Sequence, residues 1–311
     1  MITRSIVTVA VGKDYYLKLA VNLIRSFLLW HKNSDLRFLI LTDNQAFFDE
    51  FSHQKQITIK ILAISESDKS FTSKFLLIDH IVADENLFID CDCLIYKPLD
   101  IVFNRMSAYD FTAIGKNEKE GNFFCDISKI IAHFRIESMP VFVGSVYFFK
   151  NNDTAKQIFS KAVDLKKSYD QLGFVRLRNK ENEEPLFAIS MALYHQQIIA
   201  DDYTIKADLM HYEYYNTNVL KGLASVYKGK INKFDEKKPA IVHFNDKFSE
   251  EACYLMDQLR LSNVHKNTTL VEINGLVRYK LPEKLLRFSK AILRPLYHKI
   301  LGPSKVKKNK R

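Results

Sequence analysis

A chain of 311 residues, 47% of them hydrophobic, can bury a substantial core, which excludes disorder for most of its length and fits one large domain with appendages. Its net charge of +10 sits at one end: eleven of the 46 Lys/Arg and one of the 36 Asp/Glu lie from Lys280 onward, leaving 35 of each before it. A neutral body with a basic terminal segment is not the pattern of a nucleic-acid binder, which spreads positive charge over its folded face, so no nucleic-acid partner is expected.

Met1-Ile-Thr-Arg leads directly into Ser5 to Val11, too short and strand-like for a secretory apolar region. No apolar run approaches the roughly 18 residues of a membrane span, so the expected location is cytoplasmic. Ser5 to Val11 reads as a first strand, Tyr15 to His31 as an amphipathic helix, Leu36 to Thr42 as a second strand closing on Asp43, and Ile57 to Ile64 as a third. Ser73 to Val82 fits a helix. It is followed by Leu87-Phe-Ile-Asp-Cys-Asp-Cys-Leu-Ile-Tyr-Lys-Pro98, an apolar run that ends on Asp90 and Asp92.

Such a run reads as a strand buried on both faces, and the carboxyl end of a strand is where an open α/β sheet places its ligands. Two carboxylates there repel each other and lose hydration, a combination best tolerated when a divalent cation neutralises them. Cys91 and Cys93 alternate with the acids and are expected on the opposite face. With Cys125 and Cys253 they lack paired-cysteine spacing and read as free thiols.

Asp110 to Gly115 and Val141 to Phe149 are strand-like, Asp153 to about Tyr169 and Glu183 to His195 helix-like. The alternation predicts βαβ units and a mainly parallel sheet with its loops gathered on one edge. Met210-His-Tyr-Glu-Tyr-Tyr-Asn216 is dense in amphipathic aromatics, suited to a sugar face or to ordinary loop packing. Ala240 to Phe244 is a short late strand before a helix from Ser249 to Leu261, and Asn267 to Lys280 reads as a hairpin around Asn274-Gly275.

Residues 280–311 interleave Leu281, Leu285, Leu286, Phe288, Ile292, Leu293, Leu296, Tyr297, Ile300 and Leu301 with Lys284, Arg287, Lys290, Arg294 and Lys299. Apolar groups at three- and four-residue spacing beside cations suit an anionic membrane surface, each cation contributing about 1 kcal/mol. Pro295 is expected to kink or divide this helix. The bland alternative is a helix packed on the domain with a solvated basic tail.

Across residues 5–262 these segments, in this order, resemble the nucleotide-sugar glycosyltransferases of GT-A fold. The likeness is greatest to the branch that includes glycogenin and the bacterial lipopolysaccharide galactosyl- and glucosyltransferases. It is carried by the Tyr-rich turn and long helix reaching Ser26, Lys74 before the acidic strand, and Phe88-Ile-Asp-Cys-Asp92. Phe142-Val-Gly144-Ser-Val-Tyr-Phe148, Asn182-Glu183-Glu184-Pro185 and His243-Phe244 complete it. The resemblance implies an α/β, Rossmann-like GT-A domain over residues 1–265, with residues 266–311 left for the hairpin and the basic amphipathic extension. It also implies a metal-dependent, retaining hexosyltransferase. The donor would be a nucleoside diphosphate sugar, UDP-linked in the first instance, and the acceptor a glycan or a lipid-linked glycan.

The resemblance makes His243 the third protein ligand beside Asp90 and Asp92, for Mn²⁺ or Mg²⁺, and an imidazole among carboxylates favours Mn²⁺. It places Ala10, Val11 and Tyr15 at the base, Asp43 at uracil or ribose, Lys74 at the nucleotide or a phosphate, and Lys247 at the diphosphate. Gly144 would mark where the donor sugar approaches the backbone. Glu183 and Glu184 would bind donor hydroxyls near the reacting carbon, Glu184 being the first choice for the β face. Each residue also has a plain structural reading: core packing for Tyr15, turn capping for Asp43, a helix-surface lysine for Lys74 and helix capping for one of the two glutamates. An Asp-X-Asp phosphatase, a nucleotidyltransferase and a non-catalytic sugar-nucleotide-binding protein are the rival functions. The first is disfavoured by Leu94 and by the complete βαβ-like unit before the acids, the second by the lack of a glycine-rich basic loop after the first strand.

Overall fold

The computed structural model describes the backbone of residues 2–65, 69–228 and 236–301, and side chains as far as residue 293. The chain opens β1 (Arg4–Ala10), α1 (Asp14–His31), β2 (Arg37–Thr42) and β3 (Ile57–Ile61). A 3₁₀ helix (Phe71–Asp79) stands where a helix was expected, and β4 (Glu85–Ile89) and β5 (Cys93–Ile95) bracket the two acids. Then come α2 (Asp100–Met106), β6 (Phe111–Glu118), α3 (Ile127–Phe134), β7 (Met139–Lys150), α4 (Asp153–Lys166) and α5 (Glu183–Leu193). The last part holds β8 (Ile199–Ala200), β9 (Lys206–Asp208), β10 (Tyr214–Asn218), β11 (Leu223–Tyr227), β12 (Ile241–His243), α6 (Ala252–Leu261), α7 (Thr268–Gly275) and α8 (Leu281–Leu301).

Seven strands form the central sheet in the order β3-β2-β1-β4-β7-β6-β8, and β7 alone runs against the others. The sheet is therefore mainly parallel, as the βαβ alternation predicts. Its strands are apolar on both sides because both faces are covered. Ile6, Ala10, Phe38, Ile40, Leu87, Ile89, Val146 and Phe148 pack with α1, α2 and α6. Val7, Val9, Leu39, Leu41, Phe88, Tyr147 and Phe149, one residue out of step, pack with α3, α4 and α5. In α1 the buried set Leu17, Ala20, Val21, Ile24 and Phe27 follows the helical period that lays one stripe on the sheet.

A second sheet, β5-β12-β9, positions the site. β12 pairs antiparallel with β5 and parallel with β9, so His243 is in register with Cys93 on one side and Asp208 on the other. Phe244 N–H donates to the Asp92 carbonyl at 2.9 Å and extends the join by one residue.

The expected hairpin over Asn267–Lys280 is instead helical, α7 running through a π-helical turn (Leu276–Lys280) into α8. Asn267 caps α7 by accepting from Thr269 and Leu270 N–H, and Gly275 has ordinary helical angles (φ −62°, ψ −40°). Contact with α6 overrides the local Asn-Gly turn signal: Glu272 grips the Arg260 guanidinium with bonds of 2.7 and 2.8 Å. Glu283 then accepts from Ala252 N–H at 2.7 Å, tying the start of α8 to the start of α6. The backbone of α8 continues undivided past Pro295, while residues 302–311 of the basic tail and the side chains from Arg294 onward lie outside the described residues.

Candidate functional site

β4 delivers its acids to the carboxyl edge of the sheet. Asp90 N–H donates to the Ser145 carbonyl at 2.8 Å, continuing the β4–β7 ladder, and Cys93 N–H turns back to the Asp90 carbonyl at 3.0 Å. That tight turn carries Asp92 toward His243. Ligand atoms of Asp90, Asp92 and His243 lie within 4.8 Å of one another, a candidate metal group among the described residues. His243 Nε2 is 3.1 Å from Asp92 Oδ1, yet that buried oxygen makes no aligned hydrogen bond. An acceptor and a ring nitrogen facing each other off-line fit two ligands of one cation better than they fit each other. The donor set of two carboxylates and one imidazole suits Mn²⁺ and, less well, Mg²⁺.

The electrostatics of the group are unbalanced. Burial raises the Asp90 pKa beyond what Lys74 offsets, and the Asp92 charge adds to it. Burial also acts on Asp92, but the adjoining His243 holds that carboxyl below its usual range. For His243 burial opposes the charged form, while Asp92 and Asp208 on either side push it up to about 10. Uptake of a cation at Nε2 must release that proton. Cys91 and Cys93 are buried with their pKa values raised by burial first and by Asp92 next, so both remain thiols and stand apart from the ligands.

Lys74 lies beneath the acids and is 6% exposed. Its ammonium donates to Glu183 Oε1 at 2.6 Å, Asp90 Oδ2 at 3.0 Å and the Gly144 carbonyl at 3.2 Å. All three hydrogens are thus used within the protein, and the lysine is not a helix-surface residue. Burial works against its charge, but Asp90 and Glu183 raise its pKa well above the usual value.

The two glutamates come from the start of α5. Asn182 accepts from Glu184 N–H with its side chain and donates its own N–H to Tyr169 Oη, which fixes the helix entry. Glu183 points inward to Lys74, with its second oxygen buried and unpaired. Glu184 Oε1 accepts from Gly144 N–H at 2.7 Å. Gly144 is a close approach of backbone and side chains: a Cβ there would come 2.8 Å from Glu183 Oε1 and 3.0 Å from Glu184 Cγ. The carboxylate pair alone leaves no room for a side chain at this strand position.

Burial and the neighbouring Glu183 charge push the Glu184 pKa up to about 7. A carboxyl whose folded-state pKa is raised favours the folded state only while protonated, and this contribution is lost as pH rises from about 4.5 to about 7. Glu184→Gln should therefore stabilise the protein more at pH 8 than at pH 5. The expected gain at pH 8 is on the order of 1–3 kcal/mol before screening at the partly exposed carboxylate is discounted. Equal thermal shifts at both pH values would contradict it.

Ala10 is buried at the end of β1 and Val11 is half-buried. Asp43, at the end of β2, accepts from Gly12 N–H at 3.0 Å and pairs with Lys69 at 2.8 Å through Oδ2, leaving Oδ1 buried without a hydrogen bond. Tyr15, 37% exposed on the first turn of α1, bonds to Ser249 Oγ and edges against Tyr16. Lys247 is exposed on a 3₁₀ turn (Asp246–Glu250), its ammonium 5.5 Å from the Phe248 ring. The aromatic segment is largely engaged in packing: Tyr214 stacks on Tyr227, and Tyr215 bonds to Glu251. Sequence reasoning missed Lys206 and Asp208, which sit beside His243 on a three-residue strand too short to show a period.

No family model and no curated protein matches this chain. Among solved structures it resembles LgtC, at TM-score 0.51 and 14% identity over 78% of this chain and 87% of that one. LgtC, described as a galactosyltransferase, has also been crystallised with donor and acceptor sugar analogs, and that structure matches at TM-score 0.50 and 12% identity over the same shares. The bifunctional glycosyltransferase WbbM matches at TM-score 0.54 and 10% identity over 84% of this chain and 50% of WbbM. The glycosyltransferase GlyE of Streptococcus pneumoniae is matched over 65% of this chain and 46% of its own length, at 15% identity and TM-score 0.43. The chain thus spans about half the length of WbbM and GlyE. At these identities the likeness is one of fold, and the fold is the GT-A fold.

Proposed function

We propose that the chain is a cation-dependent glycosyltransferase that moves a hexose, with retention, from a nucleoside diphosphate, UDP in the first instance, to a glycan or lipid-linked acceptor. The observation that carries this reading is the convergence of Asp90, Asp92 and His243 on one point, with a buried Asp92 oxygen that lacks a hydrogen bond. Bound there, Mn²⁺ or Mg²⁺ would supply a Lewis acid for the charge that builds on a departing diphosphate. LgtC, which shares the fold, is a galactosyltransferase that has been crystallised with donor and acceptor sugar analogs, which supports the choice of substrate class.

The remaining residues have roles that follow from their surroundings. Asp43 offers its unpaired oxygen to the base or ribose at the end of β2, with Ala10 and Val11 as the floor and Tyr15 as the stacking ring. Lys74 holds Asp90 and Glu183 in place from below, acting on the donor through them. Glu184, partly exposed above Gly144, is the carboxyl placed to meet donor hydroxyls, with Glu183 behind it. Lys247, on its exposed turn four residues after His243, is within the segment that would cover the diphosphate. Donor hydrolysis measured with and without MnCl₂ tests the reading: turnover that is unaffected by chelation would sink it. None of the matched structures reported above is a phosphatase or a nucleotidyltransferase.

The site of action we propose is an anionic membrane surface reached through residues 280–311. No helix among the described residues is long and apolar enough to cross a membrane. Leu281, Leu285, Phe288 and Ile292, between 49% and 67% exposed, form a stripe along α8, with Lys284 and Lys290 beside it. Arg287 is partly committed to Glu283 and Glu251. Replacing Leu285, Phe288 and Ile292 together by Ser should weaken binding to phosphatidylserine vesicles at least about tenfold, through lost apolar burial, while donor hydrolysis is retained. Unchanged sedimentation with vesicles would refute the surface.

A further inference from the structure

Asp208 has no part in the roles given above, yet its carboxylate is held on both oxygens. It is 5% exposed, and its Oδ1 lies 2.7 Å from His243 Nδ1 and accepts from Ser145 Oγ at 2.9 Å. Lys206 Nζ is 3.0 Å from Oδ2 and also donates to the Val143 carbonyl at 2.9 Å and to Ser145 Oγ at 3.1 Å. Taking both charges of such a pair out of water is costly, and apolar residues of the same volume would commonly serve stability as well or better. The pair is therefore better explained by what it holds than by stability.

What it holds is the orientation of one ring. A carboxylate that accepts from Nδ1–H fixes both the plane of an imidazole and its tautomer, leaving the Nε2 lone pair for a ligand bond. Nε2 is the nitrogen that faces Asp92. The β12–β9 register, with His243 opposite Asp208, makes the contact a property of the backbone, and Lys206 two residues earlier supplies the counter-charge on the same strand. That counter-charge favours retention of the Nδ1 proton on the ring, so Asp208 acts as an acceptor and not as a base.

We propose that Asp208 is a positioning residue of the cation site, held by Lys206 and Ser145 so that His243 presents Nε2 beside Asp90 and Asp92. This inference rests on the cation reading above. The test is titration of the full-length protein with MnCl₂ alone. Free Mn²⁺ is followed by electron paramagnetic resonance and the ¹⁴N coupling to bound Mn²⁺ by its pulsed form. The proteins compared are the wild type, Asp208→Asn, His243→Gln and the double variant.

Asp208→Asn should bind Mn²⁺ about 10- to 100-fold more weakly and lose or diminish the ¹⁴N coupling, and the double variant should be no weaker than His243→Gln alone. Wild-type affinity and coupling in Asp208→Asn would overturn the inference, as would a double variant weakened by the product of the two single effects. If Asp208→Asn does not fold, Ser145→Ala decides: severalfold weaker Mn²⁺ binding supports the inference and unchanged binding with unchanged coupling overturns it. Failure of the wild-type protein to bind Mn²⁺ would instead remove the cation reading itself.

Discussion

On the function proposed, Asp92→Asn should lower kcat/KM for sugar transfer by about 10³-fold or more, since loss of a cation ligand would remove several kcal/mol of charge stabilisation from the leaving diphosphate. Asp90→Asn should do the same, although for a mixed reason. Asp90 is also a partner of Lys74, at 3.0 Å, so its loss perturbs the ion pairs under the site as well as the ligand set. Asp92 has a partner of its own in His243, whose Nε2 lies 3.1 Å from Oδ1, so its loss also breaks an ion pair. The two variants should therefore be alike in activity, and each should also lose an ion pair of the metal-free protein, with Lys74 for Asp90 and with His243 for Asp92. Calorimetric titration with MnCl₂ would register the loss of binding directly. Full turnover in either variant, at saturating donor, would contradict the assignment of the acids.

The second large effect is expected at Lys74. Replacement by Met keeps the stem but removes the ammonium, leaving Glu183, 2% exposed, and Asp90 without their cation. Breaking a buried pair from one side commonly costs about 3–5 kcal/mol, because the remaining charge is buried uncompensated. Both acids already have raised pKa values with burial as the leading cause, so removing the ammonium raises them further. Acids with raised folded-state pKa values stabilise the fold while they carry protons and cease to do so as pH rises. The penalty in Lys74→Met should consequently be smaller near pH 5 than near pH 8, as read by urea unfolding. Adding Glu183→Gln should recover part of the loss, since the second charge is then gone. A penalty independent of pH, or no recovery in the double variant, would argue that the lysine matters through packing alone.

The sequence makes some of this arrangement legible and hides the rest for a physical reason. Asp90 and Asp92 are visible because a buried strand that ends in two acids is a local anomaly, and Asn182-Glu183-Glu184 because a helix start needs fewer acids than it has. The parallel order of β1, β2 and β4 follows from the βαβ alternation. What one end of a pair holds cannot be read from the other: Glu183 is 109 residues from Lys74 and Asp208 is 35 from His243. Lys206 and Asp208 lie on a three-residue strand, where no period can show. Gly144 is legible as a position of close approach, whereas the two α5 side chains that crowd it there are not. Asn274-Gly275 misleads because its turn preference is local, whereas the contacts that make α7 a helix, among them Glu272 with Arg260, come from α6.

The register of the small β5-β12-β9 sheet sets a limit on when this protein can become competent. Two acids are contributed from the first third of the chain and the imidazole from the last, joined by the pairing of β5 with β12 that sets Cys93 opposite His243. During synthesis every intermediate that stops short of residue 243 carries Asp90 and Asp92 without the imidazole, however complete its central sheet. The centre is thus a seam between early and late halves of the polypeptide, closed by the late half.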